Sequence, residues 1–174
     1  MRVREKMGVE VWPITFGDDA SNAIQQLDHQ CFRGGERTDI AAELQRPFTL
    51  TWAARVLAFG HQPWVGYVLT WHVADELHIL NIATNPIHRR RGIGRALLEH
   101  VLQYASEHEV RLVLLEVRRG NVAAIGLYRA HGFRVLGLRR GYYADNGEDA
   151  VEMALEFDPN TGCVVSKADE VGHE

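Results

Sequence analysis

The chain has only two cysteines, Cys31 and Cys163, far apart and without the close pairing that metal ligation or dithiol chemistry uses. They read as unrelated thiols of a reducing cytoplasm, with a single disulfide as the alternative. No apolar run has the length needed to cross a bilayer. The opening stretch "MRVREKMGVEVWP" carries charge but no apolar core of signal-peptide length. Strong net charge is missing too: a formal −4 over 174 residues gives no general attraction for nucleic acid or a membrane surface. His78, His88, His100, His108 and His131 show no paired spacing, so no metal is expected. Ser106 and the thiols have no partner pattern for a nucleophilic triad. These gaps leave a soluble, cytoplasmic protein without metal, membrane or nucleic-acid business.

An apolar content of 46% is enough for a core. Residues 1–157 are expected to form one domain. Residues 158–174, "DPNTGCVVSKADEVGHE", are polar and aperiodic and read as a flexible tail. A strand over 11–16 belongs at a sheet edge because of Pro13. Helical spacing follows over 18–32, then a short helix over 38–45 capped by Thr38 or Asp39. Strand-like runs at 49–59, 64–73 and 76–84 suit an antiparallel meander. Beyond them come a helix over 93–108, a strand over 111–117 and a helix over 122–131, capped by Asn121 and stopped at Gly132. Two further strands, 133–143 and 149–157, complete a single mixed α/β sheet covered by helices.

Charge is unevenly spread: 11 of the 17 arginines fall between Arg89 and Arg140. The densest group opens "HRRRGIGRALLEHVLQYASEH", residues 88–108. Ile93, Leu97, Val101 and Ala105 recur every four residues, with Ala96 and Tyr104 on the same side, which defines one buried helix face. Gly92 and Gly94 then lie at the first turn, where backbone N–H groups lack intrahelical acceptors. Glycine permits close approach, and the helix dipole and the arginines add positive potential. That is the chemistry of a pyrophosphate cradle; a solvated arginine face is the plainer reading. No Gly-Lys-Ser/Thr follows, so this is not a Walker loop, and the third glycine of the dinucleotide fingerprint is missing. A nucleic-acid reading fails on arrangement, because the arginines are interleaved with glycines at one turn and otherwise spread over separate elements.

"RRRGIG" resembles the R/Q-x-x-G-x-G/A loop of the GNAT family of N-acetyltransferases. "LNIATNP", "LLEVRRGN", "AIGLYRAHGF" and "RRGYYADNGEDAVEM" follow that family in register over about residues 76–155, and most resemble its RimI-like branch of N-terminal alanine acetyltransferases. The resemblance implies the GNAT fold, a mostly antiparallel sheet with its fourth and fifth strands splayed. It implies acetyl-coenzyme A as co-substrate, with its diphosphate and 3′-phosphate held by Arg89, Arg90, Arg91, Gly92, Ile93, Gly94 and Arg95. The pantetheine arm would pair with the backbone of Ile82, Ala83 and Thr84, and an amide near Ile82 or Ala83 would bind the thioester oxygen.

Acetyl transfer to an amine requires a neutral nucleophile, a stabilised oxyanion and a proton for the leaving thiolate. Strand alternation puts Leu112, Leu114, Glu116 and Arg118 on one face. Glu116 is then either a general base or an idle ion-pair partner of Arg118. Tyr128 lies two helical turns after Asn121 on one face and reads by itself as a core aromatic. The resemblance implies instead that Glu116 is the base, directly or through a water, and that Tyr128 protonates the thiolate. Asn121 would contact the coenzyme arm as well as cap its helix.

The implied acceptor is a free protein N-terminus, the N-terminal alanine of a ribosomal protein. Tyr142 and Tyr143 would wall its groove, and Asp145, Glu148 and Asp149 would attract a basic residue soon after the first position. A GNAT acting on a small amine or internal lysines is the alternative enzyme. A non-catalytic acyl-coenzyme A-binding module is a third reading, against which Glu116 and Tyr128 speak. Three departures from the branch stand out: "CFRGGERTDI" in place of an aromatic Pro-Trp segment, Gly120 in place of a serine, and Gly141 in place of an asparagine.

Overall fold

The computed structural model describes residues 8–18, 20–32, 37–56, 63–158 and 160–170. Its elements are β1 (Val9–Ile14), α1 (Ala20–Cys31), α2 (Ile40–Glu43), β2 (Thr49–Val56), β3 (Gly66–Val73), β4 (Glu76–Thr84), α3 (Ile93–Glu107), β5 (Leu112–Arg118), α4 (Val122–Ala130), β6 (Arg134–Tyr143), β7 (Glu148–Phe157) and β8 (Val164–Val165). Strands follow the order β1-β2-β3-β4-β5-β7-β6, with β8 on β7. β4 and β5 are parallel, whereas β1/β2, β5/β7, β6/β7 and β7/β8 are antiparallel. This is the mixed sheet expected. The segments 33–36 and 57–62, the second holding the end of the strand expected over 49–59, lie outside the described residues.

The chain, expected as one domain, divides into two compact units that are each discontinuous in sequence. Residues 1–69 and 81–100 make the first, residues 70–80 and 101–174 the second. In the first unit β1 is the edge strand its proline requires, Pro13 standing opposite Trp52. The strand starts two residues earlier than its pattern suggested, and Phe16 is left exposed. Ile14, Ile24, Leu27, Ile40, Ala53, Tyr67, Leu69 and Ala83 bury a common core. Asp39 is the cap of α2, its carboxylate accepting from the Ala42 N–H at 3.0 Å.

A buried polar cluster sits within this unit. The Tyr67 hydroxyl donates to the fully buried Asp28 at 2.6 Å, the Thr38 N–H donates to Asp28 at 3.1 Å, and the Asn81 amide donates to the Thr38 hydroxyl at 2.7 Å. Burial and the Asp28 carboxylate together push the Tyr67 phenol far up, so it stays a donor. The start of α3 seats on a strand that leaves room for it. A Cβ at Gly66 would stand 2.7 Å from Ile93 Cγ2 and 2.9 Å from the Ala83 carbonyl oxygen, so only glycine fits there.

In the second unit the β4/β5 register runs from Glu76↔Leu112 to Ile79↔Leu115, and Glu116–Arg118 extends past it while β7 pairs the whole of β5. Register shifts interrupt β6 against β7 between Val135 and Gly137 and between Arg139 and Tyr143. Within the tail expected to be flexible, the described residues 160–170 are held. Val164 and Val165 pair with Phe157 and Glu156, Arg134 is bonded to Glu156 at 2.6 Å and Glu170 at 2.5 Å, and Arg129 to Asp169 at 2.9 Å. Polar composition concealed a segment docked by ion pairs, which leave no periodic trace in a sequence.

Candidate active site

The first unit carries the loop between β4 and α3. Asn85 opens it by accepting from the Ile87 N–H at 3.1 Å, and a 3₁₀ turn over Pro86–His88 delivers the chain to the arginines. Arg90 and Gly92 both adopt left-handed backbone, φ 62° and 83°. That conformation costs an arginine energy, and such strain is concentrated at functional turns. The Gly92 carbonyl accepts the first helical bond from the Ala96 N–H at 2.9 Å, so α3 begins at the predicted place. Ile93, Leu97, Val101 and Ala105 are each at most 1% exposed, as their period of four requires.

A Cβ built on Gly92 would meet nothing within 4 Å, so open space lies over the helix start. Arg89, Arg90, Arg91 and Arg95 are exposed. Arg95 pairs with Glu99 at 2.7 Å and Arg89 donates to the Thr84 carbonyl at 3.4 Å. Among the described residues, Arg90 and Arg91 make no ion pair. Unpaired cations, an uncovered glycine and helix-end amides fit a coenzyme's phosphates. Cys31 lies against the same stretch, its Sγ 3.5 Å from the Thr84 carbonyl oxygen; burial raises its pKa despite nearby Arg89 and keeps it a thiol.

The second unit carries the residues proposed for chemistry. Asn121 caps α4, its side chain accepting from the Ala124 N–H at 3.2 Å. Tyr128 is 4% exposed with its ring 5.6 Å from that of Phe133. Burial first, and then the neighbouring Tyr143, pushes its phenol above the ordinary value of 10. A phenol so held is protonated at neutral pH, the state a proton donor needs.

Glu116 is an ion-pair partner, but not of the residue expected. Arg139 of β6 donates to its carboxylate, and Tyr142 bonds the same group, which is the main reason the Tyr142 phenol is pushed up. Arg139 also lies 3.6 Å from Glu152, the residue opposite Glu116 in the register, and over the Tyr142 ring at 4.9 Å. Arg118 turns elsewhere: it bonds Asp145 at 2.9 Å, Glu148 at 3.0 Å and Asn146 at 3.1 Å, and stacks on Tyr143 at 3.9 Å. Glu148 also accepts from the Gly120 N–H at 2.7 Å, and Asp149 lies 3.6 Å from Arg119. The three acids expected to attract a basic substrate residue are therefore engaged by the protein's own arginines and amides. Tyr142 and Tyr143 meet edge to face, ring centroids 5.2 Å apart, with Tyr142 44% exposed. Arg139 is the neighbour of Glu116 that sequence reasoning missed, though its place in "RRGYY", three residues before Tyr142, was a signal. Among the described residues no three His, Cys, Asp or Glu side chains gather as a metal would need.

The profile of the Acetyltransferase (GNAT) family matches residues 21–133. The chain belongs to this family and is an N-acetyltransferase. Within the family it is similar to the ribosomal protein bS18-alanine N-acetyltransferase of Escherichia coli K12, 39% identical over 140 residues that cover 78% of this chain and 88% of the relative. Against the corresponding enzyme of Salmonella typhimurium the identity is 45% over 136 residues, 76% of this chain and 86% of that one. The crystal structure of the ribosomal-protein-S18-alanine N-acetyltransferase from Escherichia coli matches with a TM-score of 0.71 and 30% identity, covering 95% of this chain and 100% of that chain.

Proposed function

We propose that the protein acetylates the free α-amino group of a protein chain that begins with alanine, a ribosomal protein in the cytoplasm, by direct transfer from acetyl-coenzyme A. The observation that carries this reading is the likeness to alanine N-acetyltransferases over nearly their whole length. Acetyl-coenzyme A supplies an activated thioester. The amides at the start of α3, with Arg90 and Arg91, bind its phosphates, and the backbone of Ile82, Ala83 and Thr84 orients its arm and polarises the thioester oxygen.

Glu116 takes a proton from the acceptor ammonium, directly or through a water. Only a minority of an α-amino group of pKa about 8 is neutral at pH 7, so a weak base suffices. The neutral amine nitrogen bonds to the acetyl carbon, the carbon–sulfur bond breaks with its electron pair on sulfur, and Tyr128 gives the departing thiolate its proton. The second proton, shed by the nitrogen as it becomes an amide, restores the Tyr128 phenol by way of solvent. Asn121 steadies the arm, and Tyr142 and Tyr143 line the path of the acceptor backbone with apolar faces and polar tips.

The test is a competition. Labelled acetyl-coenzyme A is offered with free Ala-initiated peptides and with N-terminally blocked lysine peptides. Label should enter the free α-amino group; equal rates on the blocked lysine peptide would sink the N-terminal reading and leave an acetyltransferase of other acceptors.

A further inference from the structure

We propose that Asp169, near the C-terminal end of the described chain, is a positioning residue that fixes Tyr128 for proton donation. The inference rests on the reading of Tyr128 as the acid. One carboxylate staples the two sides of a turn. Asp169 Oδ2 accepts from Arg129 Nη2 at 2.9 Å, on the last turn of α4, and Oδ1 accepts from the Val135 N–H at 2.8 Å, at the beginning of β6. The Glu170 N–H adds a bond to the Val135 carbonyl at 2.9 Å.

Between those anchor points lies the turn that ends α4, just after Tyr128. The His131 and Phe133 N–H groups both donate to the Tyr128 carbonyl, at 3.0 and 3.1 Å, and the chain reverses at Gly132 with φ 90°. A Cβ on Gly132 would stand 3.2 Å from Leu155 Cδ1 and 3.5 Å from Val164 Cγ1, so Val164 of β8 closes the turn from outside. Phe133 in turn packs on the Tyr128 ring. The chain that follows Tyr128, and the Phe133 ring that packs on it, therefore belong to a segment that Asp169 holds at both ends.

The plain alternative is that the segment only shields the outer edge of β6, the last strand in the sheet order. Shielding and positioning differ in what they couple to. A shield stabilises the protein whatever residue 128 is, whereas a positioning staple matters only while there is a hydroxyl to position.

A double-mutant cycle in the full-length chain separates them. Wild type, Asp169→Ala, Tyr128→Phe and the double variant are assayed for kcat by release of coenzyme A thiol with a free Ala-initiated peptide, and for coenzyme A affinity by calorimetry. Misplacing a catalytic group by a fraction of an ångström costs on the order of tenfold, so Asp169→Ala should lower kcat by about that factor while coenzyme affinity holds. In the Tyr128→Phe background the same change should alter kcat less than about twofold, because the effect is exerted through the missing hydroxyl. Asp169→Asn, which keeps an acceptor for the Val135 N–H but gives up the charge, should fall between and serves if the alanine variant does not fold. Equal fold losses in both backgrounds, or no loss on Asp169→Ala, would overturn the positioning role alone. Wild-type kcat in Tyr128→Phe by itself would instead overturn the reading of Tyr128 as the acid.

Discussion

The loop before α3 and the mesh around Glu116 are both rich in arginine, and they differ in what those arginines face. Arg90 and Arg91 stand exposed beside a helix start with no ion pair among the described residues. Arg118 and Arg139 are bound to Asp145, Glu148 and Glu116 and stacked on Tyr143 and Tyr142. Cations left unpaired at a helix N-terminus suit a polyanion that arrives from solution. Cations already paired shape a wall. On the proposed reading the same residue type serves recognition in one unit and architecture in the other, and each substitution below asks whether that division holds.

The largest effect is expected in the mesh. Glu116→Gln should lower kcat by about 10² or more, as removal of a positioned general base does. The loss should shrink at pH above the α-amino pKa of about 8, where the acceptor is already neutral. A full pH–rate profile decides: if it overlays the wild type, Glu116 is no more than Arg139's partner and the mesh is all architecture.

Next comes the loop. Gly94→Val puts a branched side chain in the first turn of α3, where the phosphates must approach the amides. Coenzyme A affinity should weaken by roughly tenfold or more, the size of one or two lost charge-assisted hydrogen bonds. Calorimetry on a folded variant checks it, and unchanged affinity would empty the cradle of its ligand. A smaller loss, several-fold, is expected from Arg90→Gln with Arg91→Gln, and it should fade with added salt because exposed charges are screened. Arg118→Gln should leave coenzyme affinity as it is. Should Arg118→Gln weaken the coenzyme as much as the loop variant does, the division between waiting and paired cations collapses.

The loop was legible in the sequence because each of its signals is local. Four apolar residues at a period of four, glycines at the first turn and Asn121 before α4 each act within a few residues, and the structure has them where the pattern put them. Pro13 likewise announced an edge strand. The mesh was not legible, because β7 lies between β5 and β6 in the strand order. Which arginine reaches Glu116 then depends on the register of two pairings and on the shifts within β6, and Arg118 was the natural guess from alternation alone. Asp28 was missed for a related reason. A polar helical residue looks solvated until Tyr67, Thr38 and Asn81, from distant segments, are folded around it.

The smallest effect contrasts the two regions through acid stability. In the mesh, the Arg118 guanidinium holds the Asp145 carboxyl below the ordinary 3.8, while the Gly120 N–H first and then Arg118 hold Glu148 below the ordinary 4.5. A carboxyl whose folded-state value is depressed binds its proton more readily when unfolded. Its contribution is therefore complete above the ordinary value and is lost as pH falls through the depressed one. Arg118→Met removes one cause of both shifts. Since Asp145 is exposed and Arg118 and Glu148 are only half-buried, solvent screens the pairs and the melting temperature should drop only by about 1–2 °C at pH 7. That difference from wild type should narrow as the pH is taken below about 4 and the carboxylates of both proteins are protonated. In the loop the sign reverses. Arg89, Arg90 and Arg91 repel one another without a ligand, so Arg90→Gln with Arg91→Gln should melt no lower than wild type, at every pH from 4 to 7. Differential scanning calorimetry of the ligand-free proteins reads both. A loop variant that melts lower than wild type would mean that its arginines stabilise the fold, leaving recognition without a cluster set aside for it.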